Sequence, residues 1–231
     1  MGQVAIVSGA ARNLGAVLAL ALAQAGFDVV VNTRQDIEGA REVAREAESY
    51  GVSALAVAAD VSDAAAVERM MDEASRLGDV HVLVNNASLR SRSAFHDLTP
   101  AQWRSAMAVT LDGAFLCSQA ALPLMVAGGG GRIVNILGAN AMAGDPERVH
   151  VSAAKHGLFG LTLGLSRACA ADGVTVNAVS PDVPGSTDVD LRRHQVADVV
   201  TYLASQAAAA VTGQVIRVGD AENAARPSGS S

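Results

Sequence analysis

The sequence predicts an α/β fold: a single doubly wound domain in which a parallel seven-stranded sheet carries helices on both faces. Three observations lead there. Short β-branched runs alternate with Ala-rich segments from end to end. The strand runs are continuously apolar, the pattern of strands covered on both faces. Half of the 231 residues are apolar but only 3% are aromatic, so the core must be built from Ala, Val, Leu and Ile in many close-packed helices on a sheet.

Val4–Val7 reads as the first strand, followed by a helix over Leu14–Ala25. Asp28–Val31 is the second strand, and Ile37–Tyr50 a charged amphipathic helix. Ala54–Ala58 is the third strand, with a helix over Ala64–Leu77. Val80–Val84 is the fourth, and a long helix runs from Pro100, a residue suited to a first helical turn, to Val126. Arg132–Leu137 is the fifth strand, before a helix over Val151–Ala171. Thr175–Val179, a helix over Gln195–Ser205 and the strand Gln214–Val218 complete the series. No composition shift divides the chain, so residues 1–220 read as one domain and 221–231 as a disordered tail.

Charge and composition exclude several classes of function. A net charge of −6 argues against nucleic acid or an anionic membrane as partner. The longest apolar stretch read from the sequence, Leu14–Phe27, is too short to span a bilayer, and no signal peptide precedes the first strand, so a cytoplasmic protein is expected. Cys117 and Cys169 lie in apolar, helix-like stretches and read as buried free thiols. The five His are scattered without metal-ligand spacing, so no metal is expected. The chain has sixteen Arg but one Lys, Lys155, and its two Tyr are Tyr50 and Tyr202. Any mechanism that needs a Lys or a Tyr therefore has few candidates.

The turn Ser8-Gly9-Ala10-Ala11-Arg12-Asn13-Leu14-Gly15 lies between the first strand and the first helix. Glycines there let the backbone approach a pyrophosphate, and the helix N-terminus offers unpaired N–H groups to the anion. Further along come Asp60-Val61, Asn85-Asn86-Ala87-Ser88, Val176-Asn177-Ala178-Val179-Ser180-Pro181 and Thr212-Gly213-Gln214. In this order and spacing these motifs resemble the short-chain dehydrogenase/reductase family, up to about Asp220. Asn13 and Ser88 are similar to its pteridine-reductase-like branch, and Asn tolerates the backbone angles of the glycine it replaces.

The resemblance implies a Rossmann fold that binds a nicotinamide cofactor through Gly9, Arg12, Asn13, Leu14, Gly15, Asp60, Val61, Asn86, Ala87, Lys155 and Pro181. NADP(H) is the expected form, because Asn32-Thr33-Arg34 ends strand two without the acidic residue that binds a ribose 2′-hydroxyl. Arg12 and Arg34 can grip a 2′-phosphate as fixed-charge forks, or can simply be solvated. The cofactor can serve a redox step, be retained structurally or have been lost. Homodimers or homotetramers through helices 100–126 and 151–171 are also implied.

The chemical end departs from the family pattern. The family uses a Ser after strand five, a Tyr thirteen residues on, a Lys four after that, and an Asn in the preceding long helix. The Tyr moves the proton, and the ammonium lowers the phenol's pKa and holds the nicotinamide ribose. Here Lys155 is in place, but Val151 stands at the Tyr, Gly138 at the Ser and Thr110 at the Asn. His150 is the nearest titratable neighbour of the missing phenol, and the alternative for it is a loop or cap residue. The segment from Pro181 to His194, with Pro184-Gly185 inside it, is short for a substrate lid, and Asp182, Ser186 and Thr187 are candidates for its inner side.

The favoured expectation is an atypical enzyme acting on a small organic substrate, perhaps one in a specialised biosynthetic pathway. It either reduces an activated C=N, C=C or C=O bond or catalyses a cyclisation, dehydration or isomerisation. A non-catalytic partner of an active paralogue is one alternative. An ordinary carbonyl reductase with His150 or Thr110 as substitute acid is another.

Overall fold

The computed structural model describes residues 2–181 and 189–219. The expectations for Asp182, Ser186, Thr187, the Pro184-Gly185 turn and the tail from 221 lie outside the described residues.

Seven strands form one all-parallel sheet in the order β3-β2-β1-β4-β5-β6-β7. They are β1 Gln3–Val7, β2 Asp28–Thr33, β3 Ala54–Ala58, β4 Asp79–Asn85, β5 Gly131–Ile136, β6 Val174–Pro181 and β7 Val215–Val218. The helices are α1 Asn13–Gln24, α2 Ile37–Glu48, α3 Ala64–Leu77, α4 Pro100–Met107, α5 Gly113–Ala127, α6 Ala139–Ala143, α7 Val149–Ala168 and α8 Val189–Ala204. The order reverses between β1 and β4; α1, α2 and α8 cover one face of the sheet, and α3 and α5 the other. In such sheets the ligand crevice opens at the carboxyl ends of the strands beside that reversal.

Burial explains why the strands read as unbroken apolar runs. One core cluster joins Ala5, Val7, Val29 and Val31 to α1, α2 and α8. The other joins Val4, Ile6, Val30 and Leu83 to α3 and α5. Alternate residues of one central strand thus enter different cores, and only the edge strands β3 and β7 are partly open to water. The Ala-rich helices suit this arrangement, because small side chains let helix and sheet approach closely. Cys117 and Cys169 are buried and free, in the second cluster.

The expected long helix is continuous from Pro100 to Ala127 but contains a π-helical turn, Ala108–Asp112, between α4 and α5. This run, not Leu14–Phe27, is long and apolar enough to cross a membrane among the described residues. In this fold α5 packs on β4 and α3 as a sheet-covering helix. The N-terminus of α4 is well specified: Thr99, just before Pro100, forms a capping box with Gln102.

Two helix boundaries differ from expectation. α8 starts at Val189, six residues before Gln195, because its polar first turns are held locally: Arg193 Nη1 pairs with Asp190 Oδ1 at 2.8 Å and His194 Nδ1 donates to the Asp190 carbonyl at 2.8 Å. α7 starts at Val149 and ends at Ala168, short of Ala171, where a 3₁₀ turn, Ala170–Asp172, leads to the left-handed Gly173.

Candidate active site

The chain from β1 into α1 is shaped by close packing against the end of β4. Ser8 is buried, and its Oγ accepts hydrogen bonds from the backbone N–H groups of Asn86 at 3.0 Å and Ala87 at 3.1 Å. The Asn86 amide donates to the carbonyls of Ser8 at 2.9 Å and Gly9 at 3.1 Å. Gly9 has φ 64°, and a Cβ at Gly15 would collide with the Gly9 carbonyl, the Asn86 amide and Ala10 Cα. Asn13, standing where the resemblance implies a glycine, has φ 55° and is the only non-glycine residue at positive φ among the described residues.

α1 begins without a side-chain cap at Arg12 and without an acidic residue in its first turn. Its first N–H groups are therefore left for an anion. A cavity of about 560 Å³ opens over this turn. It is lined by Gly9, Arg12, Asn13, Leu14, Gly15, Arg34, Asp60, Val61, Asn86 and Ala87, ten residues that the sequence reading expects at the cofactor. Asp36, which caps α2, also lines it.

Arg12 and Arg34 approach Asp36 and Asp60, each at 3.9 Å, with 77% and 49% of their side chains exposed. Contacts this long leave most of each guanidinium free for another acceptor. Partial burial pushes the Asp60 carboxyl up, but hydrogen bonds from Ser62 and the nearby Arg34 charge hold it below its ordinary value. Asn32 does not face a ligand as a free amide: it donates to the Ala59 carbonyl at 3.0 Å and accepts from the Gly9 N–H at 3.3 Å. The tight glycine cradle, the uncapped helix terminus and the two cationic forks together fit a dinucleotide phosphate.

A second cavity, of about 370 Å³, shares Asn13, Leu14, Ser88 and Arg90 with the first. Lys155 and Pro181, the remaining two residues implied for the cofactor, line it, as do Gly138 and Val151. Lys155 is 3% exposed, and its Nζ donates to the Ile136 carbonyl at 2.6 Å. Burial, and then the charge of Arg90, push the ammonium down to about 7. A Cβ at Gly138 would meet nothing within 4 Å, so the position is open space.

His150 and Thr110 are not among the residues lining either cavity. His150 is neither a loop nor a cap residue but sits in the first turn of α7, fully buried, with Nε2 3.2 Å from Ser91 Oγ. Its Nδ1 has no partner among the described residues. Thr110 lies in the π-helical turn with its buried hydroxyl likewise unpartnered. His81 stacks on Phe27, with ring centroids 6.4 Å apart, and His156 Nδ1 donates to the Ser152 carbonyl of its own helix at 2.8 Å.

Two sets of contacts were not legible in the motifs, although Asn85 itself belongs to one of them. One is a buried amide–hydroxyl chain under the site: Asn85 Nδ2 donates to Asn135 Oδ1 at 2.8 Å, and Asn135 Nδ2 to Thr162 Oγ1 at 2.9 Å. It ties β4, β5 and α7 together. The other is a set of arginines around the second cavity: Arg90, Arg148, Arg192 and Arg193. They come from three separate parts of the chain, with Arg192 and Arg193 adjacent in α8, and none of the three carries a local sequence signal.

Comparison with known proteins agrees with this geometry. Residues 3–200 match the sequence model of the short chain dehydrogenase family. The Escherichia coli (strain K12) oxidoreductase YohF is 38% identical over 242 residues, covering 94% of each chain. The 3-oxoacyl-[acyl-carrier-protein] reductase FabG of Staphylococcus aureus (strain Mu50) is 33% identical, covering 94% of this chain and 97% of FabG. Among solved structures, acetoin dehydrogenase YohF from Salmonella typhimurium superposes with a TM-score of 0.86 at 36% identity, covering 94% of both chains. Acetoin dehydrogenase from Enterobacter cloacae gives 0.87 at 36% identity, covering 98% of both. With its all-parallel sheet, its glycine turn and relatives that are oxidoreductases, this chain belongs to the short chain dehydrogenase family.

Proposed function

We propose that this protein is an NADP(H)-dependent oxidoreductase with an atypical proton-transfer site, acting on a small organic substrate whose reacting bond is already activated. The observation that carries the reading is the pairing of the two cavities. The phosphate-ready turn is complete, while the adjoining cavity holds Lys155 with Val151 and Gly138 where the family resemblance calls for Tyr and Ser. The nicotinamide, when bound, supplies or accepts a hydride.

Gly9, Asn13, Leu14 and Gly15 would hold the pyrophosphate, Arg12 and Arg34 the 2′-phosphate, and Asp60, Val61, Asn86 and Ala87 the adenosine side. Lys155 keeps one N–H on Ile136 and has its other donors for ribose or substrate. With its pKa near 7, it is also the titratable group best placed to hold or release a proton in the second cavity. Val151 has no proton to give, so an unactivated ketone lacks its donor. An iminium or a conjugated enone needs less help, and a non-redox step needs none from a phenol. The alignment with YohF, at 242 positions, is longer than the 231 residues of this chain, so YohF carries residues absent here.

Exposed Trp103, Phe115, Val126 and Leu163 on α4, α5 and α7 favour a second reading, in which these helices assemble the chain with copies of itself or with an active paralogue. Calorimetric titration with NADPH and NADH tests the first. We expect NADPH to bind more tightly, Arg34→Ala to narrow the difference by about tenfold, and Lys155→Arg to weaken NADPH. Absence of NADPH binding defeats the redox reading. Lys155→Arg binding as tightly as wild type removes Lys155 from the cofactor site.

A further inference from the structure

The second cavity carries a charge pattern unlike the rest of the molecule. The whole chain has a net charge of −6. Yet the described lining residues of this cavity include Arg90, Arg148, Arg192, Arg193 and Lys155 against one carboxylate, Asp145. The Asp145 side chain is only 15% exposed; its Oδ1 accepts from the Glu147 N–H at 3.0 Å, and its contact with Arg148 Nη1, at 3.8 Å, is too long to hold the guanidinium. Arg148 Nε is buried with no partner among the described residues. Arg90 has no ion pair among the described residues, whereas Arg193 is engaged by Asp190 at 2.8 Å and Asn13 at 3.1 Å.

The cations divide by position. Arg90 borders both cavities, and Arg193 reaches the glycine turn through Asn13, so both stand near the expected cofactor phosphates. Arg148 lines the second cavity alone, at the N-cap of α7, beside Asp145 and one turn before Val151. Between the charges the described wall combines short apolar side chains, Leu137, Ala139, Ala141, Val151 and Val196, with the neutral polar Ser88 and Asn140. Clustered arginines with unmet donors destabilise one another, and burial together with the charges of Arg148 and Arg193 depresses the pKa of Arg90. A compact oxyanion between Arg148 and Arg90 relieves both costs with charge-assisted, fork-shaped hydrogen bonds.

We infer that the substrate of this enzyme is an anion, a small compound with a short apolar body and one carboxylate or phosphate group held by Arg148 and Arg90 next to Lys155. The inference rests on the proposed NADP(H)-dependent reading and adds the substrate class to it. An uncharged hydroxyketone would leave these arginines without a counter-charge, so the proposal commits to a charged substrate.

The test measures binding, with NADPH affinity determined first and separately. Wild-type protein saturated with NADPH is titrated with acetoacetate and its methyl ester, and with hydroxyacetone phosphate and hydroxyacetone. At least one anion should bind tenfold or more tightly than its neutral partner, and the pair that shows the preference identifies carboxylate or phosphate as the group. Arg148→Gln should abolish the preference while NADPH affinity stays within twofold, and Arg148→Lys should restore part of it. Arg90→Gln, at a partly exposed site, provides a second variant should Arg148→Gln fail to fold. Equal binding of charged and neutral partners, or no binding of any, overturns the proposal. So does an Arg148→Gln variant that loses NADPH and anion affinity together, because the cations then serve the cofactor. Loss of NADPH binding by wild type instead defeats the reading on which the proposal rests.

Discussion

The ends of β1 and β4 and the ends of β5 and β6 meet at one crevice but are built in different ways. At the first, nearly every polar group has an internal partner: Ser8 accepts from two backbone N–H groups, Asn86 donates to two carbonyls, and Asn32 bridges Gly9 and Ala59. What is left unmet is the N-terminus of α1, which is where an anionic cofactor would bind. At the second, the backbone scaffold is equally firm, with the Asn85–Asn135–Thr162 chain beneath it. The side chains above it are not mutually satisfied. Among the described residues Lys155 is buried without a carboxylate partner, Arg148 Nε is unpartnered, and a Cβ at Gly138 would meet nothing within 4 Å. A site that is complete in itself binds what all its relatives bind. A site with unmet charge and vacant volume is specified by its missing ligand.

The largest change should come from making the second region resemble the family. Gly138→Ser together with Val151→Tyr places a hydroxyl and a phenol beside Lys155. Turnover of a simple unactivated ketone with NADPH should then rise by about 10²–10⁴, the usual contribution of a positioned acid. No rise in steady-state rate, with NADPH affinity unchanged, would mean that the vacant phenol is not what limits reduction.

Lys155 distinguishes the two regions by pH. Its ammonium is harder to protonate in the folded chain, near 7, than in the unfolded chain, near the ordinary 10.5. Below 7 both forms are charged and the fold bears the full desolvation cost. From about 7 to 10.5 only the unfolded chain holds the proton, so stability rises with pH through that window, by at most ~5 kcal/mol. Lys155→Met should remove this rise and make the protein more stable at pH 6. The check is urea unfolding at pH 6 and pH 9.5, and a variant whose pH dependence matches wild type contradicts the buried, unpaired ammonium.

Ser8→Ala probes the self-satisfied region and should have the smallest effect of the three. It strands the Asn86 and Ala87 N–H groups, at a cost of about 1–3 kcal/mol. Thermal unfolding should shift downward by several degrees, while the anion preference at the second cavity is unaffected.

How much of this was legible in advance follows from locality. The strands were readable because each is a contiguous β-branched run, and the glycine turn because its eight residues act together. The π-helical turn, the five-residue α6 and the early start of α8 were not, since short-range hydrogen bonds and packing decide them without a periodic signature. His150 looked chemically apt from its place beside Val151, but adjacent helical residues point about 100° apart. That rotation buries His150 against Ser91 and leaves Val151 lining the cavity.

The sequence by itself determined the parallel sheet and the family, because each is encoded in residues close together in the chain. It also puts Val151 and Gly138 at the positions where the family resemblance implies a Tyr and a Ser. Only the tertiary structure decided what took their place. Arg90 follows β4, Arg148 caps α7 and Arg193 belongs to α8, and none is notable in its own segment. The parallel crossovers bring those three segments to the same edge of the sheet, and Coulomb interactions, which depend on distance in space and not along the chain, make them one site.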